Sequence, residues 1–265
     1  MSTTRVLATL ATTAAVAALA LPASASTTGN ATVSVLHAVP GLTVDVYANG
    51  EELIPDFTPG TLTDPLQLPA GTYDLAVFEA GADPATATPA IELADATVPA
   101  GANVTVVAHL GETGTPTLTP FVNDVSSLDA GKARLTVRHT AAAPAVDVRA
   151  GGTPVISGLT NPNEETLVLD AGTVSADVVL AGTSTVAIGP ADLNLAEGTA
   201  TFVYAWGSAE AGNLALAVQT IDGLHSSPSG VPSGEVAPNA SLLAGAAALG
   251  LLLVGGVAVA RRQRA

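Results

Sequence analysis

Hydrophobic and polar residues alternate with a period of two through most of the chain between residues 33 and 222. In the run VSVLH at 33–37 and the run FVYAW at 202–206, every second side chain falls on the same face of an extended chain. Turn-forming pairs such as Asn49-Gly50 and Gly151-Gly152 separate runs of this kind. No segment in this range keeps a 3.6-residue period over the length of a helix. The pattern therefore predicts about six or seven short strands in each unit of roughly 90 residues.

The strand pattern occurs twice. The segment VSVLHAVPGLTVD at 33–45 aligns without a gap with LTVRHTAAAPAVD at 135–147, at an offset of 102. A later turn, LPAGT at 68–72, aligns with LDAGT at 169–173 at an offset of 101, and Gly111 aligns with Gly207 at an offset of 96. The sequence thus predicts two tandem immunoglobulin-like β-sandwich domains, at 33–124 and 134–222, with 26–32 as an N-terminal segment and 125–133 as a linker.

The N-terminal end is typical of an export signal. Residues 1–25 contain one basic residue, Arg5, then an apolar stretch, and they close on Ala23-Ser24-Ala25. This is the small-x-small pattern that signal peptidase accepts, so we expect cleavage between Ala25 and Ser26.

The C-terminal end is typical of a membrane anchor. Residues 223–239 are rich in Ser, Pro and Gly, which predicts a flexible stalk. Residues 240–260 carry no charge, and a helix of that length is roughly 30 Å long, the thickness of the bilayer core. The tail 261–265 contains Arg261, Arg262 and Arg264, which should stay cytoplasmic and act as the membrane stop signal. We expect a single-pass protein of the cell membrane with its N-terminal ectodomain outside, and the lipid bilayer as the partner of the C-terminal helix. No Leu-Pro-x-Thr-Gly signal for wall attachment precedes the helix.

The charge of the exported part excludes two classes of partner. Four basic residues stand against 23 acidic ones, so the formal charge is 4 − 23 = −19. Nucleic acids and anionic lipids require clustered Lys and Arg, which are missing. The chain also has no cysteine, so its stability outside the cell must come from its cores and not from disulfides.

The start of each repeat resembles a known bacterial family of secreted proteins, domain of unknown function 4397. The resemblance rests on VSVLHAVPGLTVDVYANG at 33–50 and RLTVRHTAAAPAVDVRAGG at 134–152, each a β-run ending in His, then a Pro-containing loop, then Val-Asp-Val. It extends over both repeats, with the first copy closer because the second has Arg149 where the first has a tyrosine. The resemblance implies a β-sandwich on exported, envelope-associated proteins and implies no activity.

Four repeated residues are the candidates for a structural or ligand-binding role: His37, His139, Asp45 and Asp147. Each histidine lies on the apolar face of its strand, which favours a core histidine bonded to a backbone group over a metal ligand, since no further ligands stand at metal-site spacing. Each aspartate points to the opposite face from its flanking valines, which favours a carboxylate that fixes a loop over a ligand contact. No catalytic, cofactor-binding or metal-binding residues are assigned, and no cofactor is expected.

Phe202, Tyr204 and Trp206 form an aromatic stripe along one strand. At the offset of 96 their counterparts in the first repeat are Val106, Ala108 and Leu110, which is the substitution pattern of a core face. The same alignment sets Ala205 against His109 and argues against a shared function for that histidine. A sugar-binding platform would need the stripe to face solvent.

These observations favour a non-catalytic protein that presents two β-sandwich modules to an envelope polysaccharide or a surface protein, or that has a structural role in the envelope. Two alternatives stay open. One is an exported hydrolase that uses loop carboxylates in a cleft. The other is a calcium-stabilised, adhesin-like module, suggested by the charge of −19.

Overall fold

The computed structural model describes residues 29–226, and the sixteen secondary-structure elements in that range are all β-strands. The first eight are β1 (Asn30–Ala38), β2 (Val44–Ala48), β3 (Glu51–Phe57), β4 (Leu66–Pro69), β5 (Gly71–Glu79), β6 (Ile91–Val98), β7 (Asn103–Leu110) and β8 (Pro116–Val122). The next eight are β9 (Lys132–Ala142), β10 (Val146–Ala150), β11 (Thr153–Leu159), β12 (Glu164–Asp170), β13 (Gly172–Leu180), β14 (Val186–Leu195), β15 (Ala200–Ser208) and β16 (Ala215–Ile221).

Several predictions fall on the ends of the chain. The signal peptide with its cleavage at Ala25 and Ser26, the helix at 240–260 and the basic tail with Arg261, Arg262 and Arg264 all lie outside the described residues. Within residues 29–226 there is no helix that could cross a membrane.

The strands form four sheets, which pack as two sandwich-like pairs with the same strand order. In the first sandwich the order is β4-β1-β7-β8 in one sheet and β3-β2-β5-β6 in the other. In the second it is β12-β9-β15-β16 and β11-β10-β13-β14. The predicted all-β class and the sheet-on-sheet arrangement are confirmed.

The prediction of immunoglobulin-like sandwiches gave an architecture and no strand order, and the order in the structure differs from that of immunoglobulin domains. In immunoglobulin domains the first strand lies beside the second, whereas here β1 pairs antiparallel with β4 and parallel with β7. The loop at 39–43 carries the chain across to the opposite sheet, so β2 pairs with β3 and β5 instead. Alternation along a strand shows which side chains share a face, but it does not show which strands become neighbours.

Each sandwich has its own apolar core between its two sheets. In the first, the core includes Val33 and Val35 of β1, Val46 of β2 and Val104 of β7. In the second, the equivalent positions are Leu135, Val137, Val148 and Thr201, of which the first three belong to the core. These side chains supply the hydrophobic free energy that holds each pair of sheets together without disulfides.

A third apolar core lies between the two sandwiches. The sheets β4-β1-β7-β8 and β12-β9-β15-β16, here called the inner sheets, pack their outward faces against each other. Its members are Leu36, Ala38, Val107, Phe121, Leu128, Ala200, Phe202, Tyr204 and Leu224. The central inner strands are consequently buried on both faces, and β9 is buried at nine consecutive residues, Ala133 to Ala141. The two sandwiches therefore form one compact unit.

Arg138 lies at the centre of this interface with no exposed surface. Its guanidinium carbon sits 4.5 Å from the ring centroid of Phe121 and 4.7 Å from that of Phe202. Its Nε donates to a carboxylate oxygen of Glu164 at 2.6 Å and its Nη1 donates to the hydroxyl of Tyr204 at 2.7 Å. The charge is thus compensated by one ion pair and by the faces of aromatic rings, as a buried cation requires.

A chain of polar side chains continues from Arg138 across the interface. The Tyr204 hydroxyl donates to Gln219 Oε1 at 2.7 Å, and Thr105 Oγ1 of the other sandwich donates to the same oxygen at 2.9 Å. Asn123 Nδ2 in turn donates to Thr105 Oγ1 at 2.9 Å. Such a chain orients the two sheets, because a shift of either would leave buried polar atoms without partners.

The aromatic stripe is buried, with Phe202 1% and Tyr204 0% exposed, but in the interface between sandwiches and not inside its own sandwich.

The sequence alignment of β15 with β7 at an offset of 96 is wrong by one residue. His37 pairs with Ala108 and His139 pairs with Ala205, so β15 follows β7 at an offset of 97. A slip of one residue moves every side chain of a strand to the opposite face. The true counterparts of Phe202, Tyr204 and Trp206 are Thr105, Val107 and His109, and that of Gly207 is Leu110.

The segments that follow β8 and β16 pack against each other. Leu128 N donates to Leu224 O at 2.6 Å, and Ser226 N donates to Leu128 O at 2.9 Å. Leu128 and Leu224 are also members of the interface core. The chain therefore stays attached to the folded unit up to Ser226, which is the fourth residue of the segment predicted as a stalk.

Replacing Arg138 tests how far the interface stabilises the fold. Arg138→Ala removes the buried guanidinium from between two rings, and we expect a loss of about 3 kcal/mol in the free energy of unfolding, measured by urea titration. Arg138→Leu, which imports the counterpart residue Leu36, should lose less because it refills the apolar space. The control is Arg149→Ala, since Arg149 pairs with Asp177 on the outer sheet. Equal unfolding midpoints for Arg138→Ala and this control would contradict the central role of Arg138.

Candidate functional site

The two repeated histidines have the same backbone partners. His37 Nδ1 accepts a weak hydrogen bond from Val39 N at 3.4 Å, so Nε2 carries the proton and donates to Leu42 O at 2.7 Å. His139 does the same, with Ala141 N at 3.4 Å and Pro144 O at 3.0 Å. Both side chains are 1% exposed. Each imidazole fixes the loop that carries the chain from one sheet to the other, and this arrangement leaves neither ring nitrogen available to a metal ion or a substrate.

The two repeated aspartates each hold two loops. Asp45 accepts from Asp56 N at 2.7 Å and from Gly81 N at 2.8 Å, one bond on each carboxylate oxygen. Asp147 accepts in the same way from Gly158 N at 2.7 Å and Gly182 N at 2.9 Å. Those amide bonds lower the pKa of Asp147. Asp56, Gly81, Gly158 and Gly182 all have positive φ, so the carboxylates stabilise turns that are otherwise unfavourable for most residues.

The four predicted residues therefore do not come together as one site. They form the same pair of loop-fixing contacts once in each sandwich. Within residues 29–226, no three His, Asp or Glu side chains gather closely enough to hold a metal ion.

A concave site lies elsewhere, at the edge of the interface between the sandwiches. This cleft has a volume of about 490 Å³ and runs between β1 and the loop after β3 on one side and β16 on the other. Its polar lining residues are Thr32, Ser34, Thr63, Asp64, Asn103, Gln219, Thr220 and Asp222. Two carboxylates, Asp64 and Asp222, thus face one concave surface.

Gln219 connects the cleft to the interface core. Its side chain is 7% exposed, and the two hydrogen bonds described for it fall on Oε1, from Tyr204 and Thr105. Its amide nitrogen is therefore available as a donor to a molecule in the cleft. Ser34, which is 2% exposed, adds a hydroxyl from the opposite wall.

Because the two sandwiches are repeats, residues that line the cleft have equivalents that mark a second location at the interface. The register of β16 against β15 matches that of β8 against β7 when the residue numbers of β8 are increased by 98. Asp124 is therefore the counterpart of Asp222. The offset of 102 between β1 and β9 makes Arg134 the counterpart of Thr32.

Arg134 fills that second location. Its guanidinium donates to Asp124 O at 2.9 Å, Ser126 O at 3.1 Å and Ser126 Oγ at 2.9 Å, and it pairs with the Asp124 carboxylate at 3.2 Å. Hydrogen bonds from Ser126 and the charge of Arg134 lower the pKa of Asp124. The open cleft has the equivalent carboxylate, Asp222, but a threonine in place of the arginine. It can consequently accommodate a cationic group from another molecule.

Sequence reasoning missed the cleft, although one signal was present. The segment VND at 122–124 aligns with TID at 220–222, which repeats the aspartate, while the aligned Thr32 and Arg134 differ in charge. Only the folded structure shows that Asp222 and Thr32 line the same cleft.

The comparisons with known proteins agree with the resemblance seen in the motifs. The family model described as domain of unknown function (DUF4397) matches residues 31–149. The matched range includes the first sandwich and strands β9 and β10 of the second, so both copies of the His and Val-Asp-Val motif fall inside it. Among the curated proteins, no match is found.

Acid should weaken the fold through the buried histidines. Burial lowers the pKa of His37, His109 and His139 from 6.5. Since the unfolded chain then takes up protons that the folded chain does not, stability is complete above about pH 6.5 and falls as the pH drops below it. We expect Tm to decrease from pH 7 to pH 5, and His139→Gln to make this decrease smaller. His225→Gln, at an exposed position, should leave the slope unchanged, and an equal change in both variants would refute the explanation.

Asp147→Asn tests the loop-fixing role. The amide can accept only one of the two backbone hydrogen bonds and turns an N–H group toward the other, so the variant should unfold at lower urea concentration at pH 7. Because the folded pKa of Asp147 is lowered, the contribution of its carboxylate is present above about pH 3.8 and is lost as the pH falls through the folded pKa. The difference between variant and wild type should therefore shrink at pH 2.5. Asp192→Asn, at an exposed carboxylate of β14, is the control and should show no such pH-dependent difference.

Proposed function

We propose that this chain, which belongs to the family of domain of unknown function 4397 through residues 31–149, is a cell-surface recognition module without catalytic activity. Its two sandwiches act as one rigid head on the stalk and the membrane helix predicted from the sequence. The cleft between the sandwiches binds an arginine or lysine side chain of another surface protein. The packing of the inner sheets joins the two sandwiches in one compact unit, and the cleft offers hydroxyl, amide and carboxylate groups on a concave surface.

The proposal rests on one difference between the repeats, which is that the cleft has no arginine at the position equivalent to Arg134. On one side of the interface, Asp124 pairs with Arg134. In the cleft, the equivalent carboxylate is Asp222, and Thr32 stands at the position of the arginine. A carboxylate beside hydroxyl and amide groups in a concave site favours a ligand that donates several hydrogen bonds and carries positive charge. Asp64 adds a second negative charge to the same surface.

The charge of the whole ectodomain acts in the same direction. A formal charge of −19 attracts basic partners over a distance of about a Debye length and speeds their encounter with the cleft. The sequence left an envelope polysaccharide open as a partner. The negative charge disfavours those polysaccharides that are phosphorylated or sulfated. A neutral polysaccharide remains compatible with the hydroxyl and amide groups of the cleft, so it is an outcome that the experiment must distinguish.

A titration of the ectodomain, residues 26–229, with matched peptides tests the proposal. One peptide carries a central arginine and the other carries citrulline, which has nearly the same shape without the charge. We expect saturable binding of the arginine peptide, and about tenfold weaker binding for Asp222→Asn, because a charge-assisted hydrogen bond is lost. Asp192→Asn, which changes net charge equally on an outer sheet, is the control. Equal binding of the two peptides, or equal effects of the two variants, would refute a cationic site.

A second variant closes the cleft in the way the protein already does on the other side. Thr32→Arg places a guanidinium opposite Asp222, and we expect it to abolish peptide binding and to raise Tm. Loss of binding with a lowered Tm would mean that the variant distorts the head, and the result from Asp222→Asn then decides alone.

The hydrolase alternative keeps one supporting observation, since Asp64 and Asp222 share the cleft. Paired carboxylates are the requirement for glycoside hydrolysis. Incubation of the ectodomain with envelope polysaccharide, followed by an assay for new reducing ends, tests it. Turnover that disappears in both Asp64→Asn and Asp222→Asn would replace the recognition proposal with an enzymatic one.

A repeat of the Tm measurement with millimolar calcium and with chelator tests the calcium-stabilised alternative, which requires a difference in Tm.

A further inference from the structure

The second sandwich contains an apolar pocket at one end. Its volume is about 250 Å³, and it opens at the end of the sandwich where β10 turns into β11 and β12 turns into β13. Its walls are Leu135, Val148, Ile156, Leu167, Leu169 and Val174. At the rim, Asp170 is paired with Lys132 at 2.7 Å.

In the first sandwich the same space is filled by a side chain. The turn repeat at an offset of 101 makes Tyr73 the counterpart of Val174, and Leu75 the counterpart of Ala176. Tyr73 packs against the first core, and its hydroxyl donates to Pro69 O at 2.7 Å. The cavity that Tyr73 lines in the first sandwich has a volume of only about 30 Å³, roughly that of one water molecule.

This internal comparison identifies the shape and polarity of what fits the pocket. The aliphatic walls are shared, since Leu135, Val148 and Leu169 correspond to Val33, Val46 and Leu68, which also surround Tyr73. What the second sandwich lacks is one phenol ring and the larger side chain at the Ala176 position. An apolar cavity of about 150 Å³ is known to stay dry and to bind benzene, so a pocket of this size and lining can hold a ring without polar partners inside.

We propose that this pocket binds a small, neutral, single-ring aromatic molecule of the phenol class. The ring takes the place that Tyr73 occupies in the first sandwich, and its hydroxyl donates to the backbone carbonyl of Asp170, the counterpart of Pro69 O. The aliphatic lining disfavours ligands that carry a charge, because such a ligand would lose its hydration in the pocket without gaining a polar partner. The site lies inside the second sandwich, away from the cleft between the sandwiches, and does not depend on the function proposed for the cleft.

The experiment is a titration of the full chain with phenol, followed through the methyl NMR resonances of Val148 and Ile156. Cyclohexanol and benzoate are the comparison probes. We expect saturable shifts with phenol at one site, weaker binding of cyclohexanol and none of benzoate. Val174→Tyr, which installs the residue of the first sandwich, should weaken phenol binding by at least about tenfold and should raise Tm by filling the pocket.

The reciprocal variant is the matched control. Tyr73→Val opens the equivalent space in the first sandwich, and we expect a second phenol site reported by the methyl resonances of Val33 and Val46. If Tyr73→Val fails to fold, Val174→Tyr still decides. Absence of saturable binding to the wild-type chain, or binding that Val174→Tyr leaves unchanged, would overturn the proposal.

Discussion

The inner sheets of the two sandwiches cover each other's outward faces. Strands β1, β7, β9 and β15 are buried on both faces, so neither sandwich can expose its inner sheet without presenting a large apolar surface to water. Arg138 is held at the centre of this surface between Phe121 and Phe202, where its charge requires Glu164 and the Tyr204 hydroxyl as partners. The two domains of the repeat consequently behave as one folding unit and not as beads on a linker.

The two contacting faces belong to repeats but are not alike. Where the second sandwich has Arg138, the first has Leu36, and where the second has Gln219, the first has Phe121. Each side therefore supplies what the other lacks: the arginine lies on an aromatic ring, and the glutamine accepts from Thr105. In a pair made of two second sandwiches, a glutamine would stand at the position of Phe121 and Arg138 would lose that ring, so the differences favour pairing within one chain over pairing between chains.

Other differences between the copies produce the two open sites. Arg134 closes one edge of the interface and Thr32 leaves the other open as the cleft. Tyr73 closes the end of the first sandwich and Val174 leaves a pocket in the second. In contrast, His37 with His139 and Asp45 with Asp147 keep the same contacts in both copies, which is what a requirement of the fold predicts. Within one chain, positions that match describe how the fold is held, and positions that differ indicate where the two halves have separate roles.

Sequence patterns alone were enough to predict the strand class, the internal repeat, the buried side of each histidine and the loop-facing side of each aspartate. These properties follow from local alternation and from matching of residues along one chain. The packing of the strands was needed to show that β1 lies between β4 and β7, that Phe202 and Tyr204 pack against the other sandwich, and that Asp64 and Asp222 share a cleft. A strand with a period of two has two usable faces, and which partner covers each face depends on contacts between segments far apart in sequence. A one-residue error in aligning β15 was enough to assign its aromatic residues to the wrong core, because it exchanged those faces.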